Sequence, residues 1–463
     1  MGVVYPVSPI TDGMHPRSIP RCYVFPDNNA YCFDENNRLK YAGPLSGLPS
    51  PSLLTAQDAK LHIITTDELF LKNSALDAAS YIVFQNNGVT YVENGQTGHV
   101  EYSSSNAADA IQYAINNIPS GGKGVIVLKG EFYFPPLTSS AMINVPGDRS
   151  IDFVGSDAII HLPQNNYTGQ AWLFSVANTS LDSYNVIRFK NFVVVDDVNT
   201  GTYASNFLVT SGTGLGVEME DIVFYNSPNY SSGTTVWFNN CLHAVVRNVR
   251  FHNTVRTGLL FDSVSVGTVS NSLFMSRNPV GSGMAISVGT GNVTITNSEF
   301  YGLNIAINAS DTDSETTIHV SNSIFGLNRG SYFTLSNGSV WNMGVNYVIY
   351  VHNISSLRIF MSNIVYEGNN FLGGDTFTTN LDIEISDSML AGLSTYVQYS
   401  SNGGAGKIRI NASNCQIGWA DFTGGPGFLG NGRVNNIETI PAEYYLDNCK
   451  IFVNVPGNYA PLH

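Results

Sequence analysis

The segments VTITNSEF (residues 293–300) and IHVSNSIF (residues 318–325) share one eight-residue pattern. Two apolar residues alternate with polar ones, an Asn follows, and a large apolar residue stands three positions after the Asn. The pattern recurs with Asn or Asp at Asn191, Asp221, Asn248, Asn271, Asn297, Asn322, Asn363, Asp387, Asn414 and Asn448. Most spacings are 23 to 30 residues, with wider gaps of 41 and 34. A repeat of this length is typical of a solenoid, in which each unit packs on its neighbours.

The alternation of apolar residues within each unit has the period of two that indicates a β-strand. Helical periodicity is absent from the repeats, and one unit is too short for a strand followed by a long helix. We therefore predict one rung of a single-stranded parallel β-helix per repeat. Successive rungs would then be separated by about 4.8 Å, the spacing of paired strands.

The register of each rung follows if the repeated Asn or Asp is taken as position 0. We expect positions −2, +1 and +3 to point inward and position +2 to point outward. Position +1 is Ser272, Ser298 and Ser323 in three consecutive rungs. The Asn stands where the chain bends between two strands, because Asn tolerates the left-handed backbone region and its amide can bond that of the next rung. These residues are predicted to be architectural.

The segment NAADAIQYAINN (residues 106–117) predicts a short helix before the first rung. Asn106 is a candidate N-cap, and Ala108, Ile111 and Ile115 form an apolar stripe. The glycines of SGGKG end the helix, and VIVLKGEFYF then begins a strand. Because a β-helix leaves a row of apolar side chains exposed at its first rung, we expect this helix to cover that end.

The remaining organisation follows from these landmarks. We predict a leader (1–75), a strand-rich pre-cap segment (76–105), the cap helix (106–117), a β-helix of about ten to twelve rungs (118–455) and a C-terminal tail (456–463). The leader is rich in Pro and lacks the rung pattern, so it is a docking segment or a linker. Cys22 and Cys32 flank a turn between two short strands, which is compatible with a disulfide and equally with two free thiols.

Composition restricts the function. Only 12% of the residues are charged, about half the usual share, and the formal net charge is −14. An acidic chain is a poor candidate for binding nucleic acid, and no apolar run is long enough to span a membrane. The N-terminus does not resemble a secretory signal. The low charge suits an extracellular or virion-surface location, although a turn-rich β-protein has the same composition.

The segment AADAIQYAINNIPSGGKGVIVLKGEFYF (residues 107–134) resembles the start of right-handed β-helices of the pectate-lyase-like superfamily, which includes polysaccharide lyases, polygalacturonases and phage tailspikes. Residues 79–117 also resemble β-helix proteins of archaea and their viruses. The resemblance implies a right-handed coil. It transfers no catalytic residue, because the polygalacturonase motifs are not matched: the only Gly-His, at Gly98-His99, precedes the cap helix, and the one adjacent Asp pair, Asp196-Asp197, lacks its partners.

Acidic residues are densest on two neighbouring rungs: Asp196, Asp197, Glu218, Glu220 and Asp221. Two carboxylates on adjacent rungs could act as acid and base on a glycoside, which makes Asp196, Asp197 and Glu218 the catalytic candidates. The same oxygens could hold Ca²⁺, and no other cofactor or metal is expected. Alternatively, Asp196 is a turn residue, because it lies five positions after Asn191.

Residues 160–240 contain long segments rich in aromatic residues, and loop length on a solenoid often marks a binding face. The glycan-binding candidates are Trp172, Tyr203, Tyr225, Tyr230 and Trp237, together with the basic residues Arg250 and His252 on the next rung. The alternative for the basic pair is an ordinary solvated rung face.

These observations favour a non-enzymatic virion spike or attachment protein. Its expected partners are a host-surface glycan, other virion proteins bound through the leader, and two further copies in a homotrimer. One alternative is a tailspike that degrades polysaccharide as a hydrolase or lyase. Another is a cellular adhesin or surface-layer protein.

Overall fold

The computed structural model describes most of the chain from residue 79 onward. The gaps are 179–183, 197–204, 226–232, 253–256, 277–282, 311–315, 327–331, 335–339, 343–344, 355–356, 367, 378–380, 391–394, 400–407, 419–441, 456–457 and 463. Before residue 79 it describes four strands, β1 (Gly2–Val3), β2 (Cys22–Val24), β3 (Asn29–Phe33) and β4 (Leu39–Pro44).

The chain divides into two compact units. One comprises Met1–Ala78 with Phe333–Val340, and the other comprises Ala79–Tyr332 with Trp341–His463. In the first unit, β1 to β4 form an antiparallel sheet in chain order. Its register places Cys22 directly opposite Cys32. Directly opposed residues have Cα separations that a disulfide can span, so the backbone is compatible with a disulfide between these two residues. The disulfide itself stays a prediction. The sequence-based domain boundaries also stay predictions.

The second unit begins with three antiparallel strands, β5 (Tyr81–Asn86), β6 (Val89–Asn94) and β7 (Val100–Ser104). Strand β5 also pairs in parallel with β8 (Lys123–Phe132), which begins the solenoid.

The predicted cap helix is confirmed as α1 (Ala107–Asn116). The Asn106 side chain accepts a hydrogen bond of 3.0 Å from the backbone N–H of Ala108, which satisfies one of the open donors of the first turn. After the last turn, the Arg149 guanidinium donates to the carbonyl of Ile115 at 3.3 Å and to that of Ile118. The apolar face of α1 is fully buried and belongs to the same core as the rungs.

The rungs build three parallel sheets. Sheet 1 contains the first parts of β8, β10 (Ser150–His161), β12 (Asn185–Val195) and β14 (Leu215–Tyr225), and then β16 (His243–Arg247), β19 (Val264–Ser270), β22 (Gly291–Thr296), β25 (Thr316–Ser321), β30 (Leu357–Ser362), β33 (Leu381–Ser386), β36 (Ile408–Ser413) and β38 (Ala442–Asp447).

Sheet 2 follows each bend. It contains the last parts of β8, β10, β12 and β14, and then β17 (Arg250–His252), β20 (Leu273–Met275), β23 (Glu299–Tyr301), β26 (Ile324–Phe325), β31 (Val365–Tyr366), β34 (Met389–Leu390), β37 (Gln416–Gly418) and β39 (Lys450–Val455). The final strand, β40 (Asn458–Leu462), pairs antiparallel with β39.

Sheet 3 closes each turn. It contains β9 (Ala141–Pro146), β11 (Ala171–Ala177), β13 (Ser205–Ser211), β15 (Thr234–Asn239), β18 (Thr257–Asp262), β21 (Met284–Val288), β24 (Ile305–Ser310), β29 (Val345–Ile354), β32 (Gly368–Phe377) and β35 (Thr395–Tyr399). Two short strands, β27 (Tyr332–Thr334) and β28 (Val340–Asn342), pair separately.

The bend between sheets 1 and 2 lies at the repeated Asn or Asp. All ten residues have φ between 49° and 60°, the left-handed region that Asn and Asp tolerate better than other non-glycine residues. Their side chains bond along the axis: Asn363 Nδ2 donates to Asn322 Oδ1 at 2.6 Å, and Asn448 Nδ2 donates to Asn414 Oδ1 at 2.8 Å. The predicted architectural role is confirmed by this geometry.

The core repeats from rung to rung. The rings of Phe224, Phe251, Phe274, Phe300 and Phe325 stack in order, with centroids 4.6 to 5.1 Å apart. The buried serines at position +1 are also satisfied along the axis. For example, the Ser298 hydroxyl accepts from the Ser272 backbone N–H at 3.3 Å and donates to the Thr296 carbonyl at 2.9 Å. The predicted parallel β-helix is therefore confirmed.

Candidate functional site

The outer face of sheet 1 is formed by the residues at positions −1, −3 and −5 before each repeated Asn or Asp, because strand side chains alternate between the two faces. From the Asn191 rung to the Asn448 rung, position −3 is Arg188, Glu218, Val245, Thr268, Thr294, His319, Phe360, Glu384, Asn411 and Tyr445. This column is charged at its start, small or β-branched in its middle, and aromatic and polar at its end. It therefore divides the face into two chemically different regions.

The first region is an ionic lattice of Asp152, Arg188, Glu218, His243 and Arg247. Arg188 Nε lies 3.0 Å from Glu218 Oε2, and Arg188 Nη1 lies 3.2 Å from Asp152 Oδ1. Arg247 Nη2 lies 3.4 Å from the same Glu218 oxygen. The side chain of Glu218 is only 17% exposed. Glu218 is thus held between two guanidinium groups as the centre of the lattice.

His243 connects this lattice to an exposed phenol. The Tyr184 hydroxyl lies 2.5 Å from His243 Nδ1 and 3.1 Å from Nε2, and Nε2 lies 3.8 Å from Glu218 Oε1. Burial lowers the pKa of His243 despite the nearby carboxylate. Gly216 makes the contact sterically feasible, because a Cβ there would lie 2.4 Å from His243 Cε1 and 3.0 Å from the Tyr184 hydroxyl.

The catalytic candidates occupy different places in the fold. Glu218 faces outward on sheet 1, whereas Asp196 follows the end of β12, beyond the bend at Asn191, and its backbone N–H donates to the Tyr225 carbonyl at 2.9 Å. Asp196 is 6% exposed. Asp197 lies outside the described residues. The catalytic role of these three residues stays a prediction that the geometry does not strengthen.

The predicted Ca²⁺ ligands already have protein partners where they are described. Lys190 Nζ lies 3.0 Å from Glu220 Oε2, and Asn248 Nδ2 donates to Asp221 Oδ1. Within the described ranges, no group of three or more His, Cys, Asp and Glu side chains could hold a metal ion. The described part of the chain also has no helix that is both long and apolar enough to span a membrane.

The aromatic candidates fall on two other sheets. On sheet 3, the rings of Trp172 and Trp237 have centroids 5.9 Å apart, and Trp172 is only 8% exposed. On sheet 2, Tyr225 and His252 stack at 4.9 Å, and Arg250 precedes His252 on β17. Tyr203 and Tyr230 lie outside the described residues. The described glycan-binding candidates therefore do not share one surface, and their role stays a prediction.

The second region of the sheet 1 outer face is a groove with a cavity volume of about 780 Å³. It crosses five strands, β25, β30, β33, β36 and β38. Its lining consists of His319, Val320, Ser321, Phe360, Met361, Ser362, Glu384, Ile385, Ser386, Asn411, Ala412, Ser413, Tyr445, Leu446 and Asp447. The outward residues among these come from positions −3 and −1, and four of the five position −1 residues are serines.

The groove has an aromatic group at each end. His319 and Phe360 stack with ring centroids 4.8 Å apart at one end, and Tyr445, 54% exposed, stands at the other. Between them, Glu384 and Asn411 occupy successive strands in register. Four strand spacings of about 4.8 Å make the groove about 19 Å long. Its shape and chemistry suit an extended ligand that has both apolar faces and hydroxyl groups.

None of the groove residues is predicted from loop length or from the density of aromatic and acidic residues, the two features that indicate the other candidates. In the sequence, the groove is indicated only by the residues at position −3, which change from Thr268 and Thr294 to His319 and Phe360 along the chain. A column of like positions becomes visible in the sequence only when the repeats are aligned on the Asn.

Comparisons with protein-family models and with curated proteins found no match. Among solved structures, pectate lyase Pel9A is 14% identical with a TM-score of 0.38, covering 76% of this chain and 78% of its own. The Azotobacter vinelandii mannuronan C-5 epimerase AlgE6 A-module is 11% identical (TM-score 0.36; 76% and 96%). A tailspike mutant of E. coli bacteriophage HK620 in complex with a pentasaccharide is 12% identical (TM-score 0.41; 75% and 63%).

Similarity at this level does not extend to substrate or activity. The fold rests on the chain's own three parallel sheets, which form a parallel β-helix.

Proposed function

We propose that this chain is a carbohydrate-binding β-helix whose groove on β25, β30, β33, β36 and β38 holds a glycan. The observation that carries the proposal is the arrangement of His319 and Phe360 at one end, Tyr445 at the other, and polar side chains between them. Aromatic rings offer apolar faces on which the C–H face of a sugar ring can pack, and the intervening groups can bond sugar hydroxyls.

The groove also has the dimensions of a ligand site. Its volume of about 780 Å³ falls within the range of typical ligand pockets. It runs across the strands, so a linear glycan would lie along the axis of the solenoid and meet a new side chain from each rung. A rigid sheet positions these groups before the ligand arrives, which reduces the entropy lost on binding.

The test is a binding assay with purified polysaccharides of cell-surface type, comparing the wild-type chain with the variants Phe360→Ala and Tyr445→Ala. We expect each variant to lose about tenfold in affinity, equivalent to about 1.4 kcal/mol. Thr294→Ala is the matched control, because Thr294 occupies the same −3 position outside the groove lining. Equal losses in Thr294→Ala, or no binding by the wild-type chain, would refute the proposal.

The biological setting that we propose is host attachment by a virion spike, with a homotrimeric assembly, docking through the leader and an extracellular location. The mass of the full chain in solution tests the assembly. A trimer is expected, and a stable monomer would contradict it. Competition between the soluble protein and virions for host cells tests attachment, with Phe360→Ala as the variant that should no longer compete.

Glycan cleavage is the second candidate, because the groove lining contains the carboxylates of Glu384 and Asp447. An assay for new reducing ends, with unsaturated-sugar absorbance to separate lyase from hydrolase, distinguishes it from binding alone. If cleavage occurs through the groove, Glu384→Gln abolishes it. A cellular adhesin remains the third alternative, and a leader docked in a virion would exclude it.

A further inference from the structure

The side chains that line the groove carry more negative than positive charge. Its lining includes two carboxylates, Glu384 and Asp447, and it includes neither Lys nor Arg. The only basic side chain in the lining is that of His319, whose ring stacks on Phe360. An Asp or Glu side chain is ordinarily ionised at neutral pH, whereas a His side chain is ordinarily neutral. The lining therefore has a formal charge of −2 at neutral pH.

The flanking column does not reverse this charge. Position −5 in the same five rungs is Thr317, Arg358, Asp382, Arg409 and Glu443, and the signs of the four charged residues alternate. Arg409 Nη1 lies 3.5 Å from Asp382 Oδ1, so at least one guanidinium is already directed at a carboxylate. The four charges sum to zero. The chain as a whole has a net charge of −14, so its wider field is also negative.

From this distribution we infer, on the basis of the proposed function, that the groove selects glycans without acidic groups and rejects uronic-acid or sulfated glycans. A ligand carboxylate or sulfate would lie beside Glu384 or Asp447 without a guanidinium or ammonium group in the lining to compensate it. Unpaired like charges are the usual means by which a binding site excludes a competing ligand. Neutral sugar hydroxyls, in contrast, can donate hydrogen bonds to both carboxylates.

The experiment compares two classes of polysaccharide on the full-length protein. The neutral class contains glucans, mannans and galactans, and the acidic class contains polyuronates and sulfated galactans of matched length. Affinities are measured at low and at moderate salt. At least one neutral polysaccharide is expected to bind at least tenfold more tightly than every acidic one. The difference is expected to narrow as salt screens the repulsion.

The variants assign the selectivity to the two carboxylates. Glu384→Gln with Asp447→Asn retains the shape of the groove and removes its charge, so we expect binding of acidic polysaccharides to rise at least fivefold. Glu299→Gln, on the outer side of sheet 2, removes one charge outside the groove and should leave the selectivity unchanged. Melting temperatures of all variants verify that they fold.

Three results separate this inference from the proposed function. Acidic polysaccharides binding as tightly as neutral ones would overturn the inference and leave carbohydrate binding intact. Unchanged selectivity in the double variant would overturn the assignment to Glu384 and Asp447. Binding of neither class would refute the proposed function, and the inference with it.

Discussion

The two regions of the sheet 1 outer face have the same backbone and opposite chemistry. In the ionic lattice, the −3 residues Arg188 and Glu218 bond each other and the neighbouring Asp152 and Arg247. In the groove, the same column presents aromatic rings and single polar groups around an open volume. A repeated rung thus determines where a side chain points. The residue types on adjacent rungs decide whether the outward side chains pair with one another or leave an open surface for a ligand.

Charge pairing explains why the lattice is the less suitable binding surface. A ligand that approaches Glu218 would have to displace at least one of two guanidinium groups, and the displaced ion pair offsets the gain from the new contact. The groove residues Glu384 and Asn411 lie between aromatic groups rather than between opposite charges. The comparison can be tested by changing equivalent residues in the two regions.

The largest effect on stability is expected from removing the central charge of the lattice. Glu218→Gln leaves Arg188 and Arg247 without their shared carboxylate, and we expect the free energy of unfolding to fall by about 2 kcal/mol, within the range for hydrogen bonds to charged groups. Glu384→Gln, at the same position in the groove, should change stability by less than about 0.5 kcal/mol. Chemical denaturation measures both, and equal losses would remove the distinction between the regions.

The next largest loss of stability is expected from filling the space that Gly216 leaves for His243. In Gly216→Ala, the new Cβ would lie 2.4 Å from His243 Cε1, and we expect destabilisation by about 1.5 kcal/mol, typical of overpacking. The same substitution in a His243→Ala background is the control, because removing the ring relieves the overlap. If Gly216→Ala destabilises the His243→Ala protein as much as the wild-type protein, the destabilisation does not arise from the Tyr184–His243 contact.

A smaller loss of stability is expected when the pH is lowered. Burial lowers the pKa of His243, so the folded protein binds this proton less tightly than the unfolded chain does. The stability that the neutral imidazole provides is therefore present above its ordinary pKa of about 6.5 and is lost as the pH falls through the folded-state pKa. Denaturation midpoints at pH 7.5 and 5.0 should differ more in the wild-type chain than in His243→Gln. An equal difference would exclude His243 as the source.

The smallest effect is expected beside the groove. Arg409 and Asp382 are 48% and 42% exposed, and exposed ion pairs contribute little because water and salt screen them. Asp382→Asn should lower the free energy of unfolding by only a few tenths of a kcal/mol. The matched change in the lattice, Asp152→Asn, should cost more, because Arg188 is less exposed. Denaturation at two salt concentrations compares them, and a larger loss for Asp382→Asn would reverse the expected order.

Much of the fold was predictable because its determinants are local. Alternating apolar residues specify a strand, and an Asn or Asp at the bend adopts positive φ without a glycine. The cap helix was predictable for the same reason, since Asn106 and the apolar stripe that follows it lie within 10 residues.

The candidate site was less predictable. Glu218 was recognised as part of an acidic cluster, but its sequence neighbourhood does not contain Arg188 or Arg247, which neutralise it from rungs 30 and 29 residues away. The sequence places Trp172, Trp237 and Tyr225 in one aromatic-rich region, yet the two tryptophans lie on a different sheet from Tyr225.

The sequence alone determined the rung, its inward and outward positions, the bend and the cap, because each depends on residues within one repeat. Only the tertiary structure decided which outward residues meet. His319, Phe360, Glu384, Asn411 and Tyr445 are 24 to 41 residues apart from one to the next, and parallel pairing reduces each separation to one strand spacing of about 4.8 Å. A groove that crosses the strands is therefore a property of the stack, and no single rung contains it.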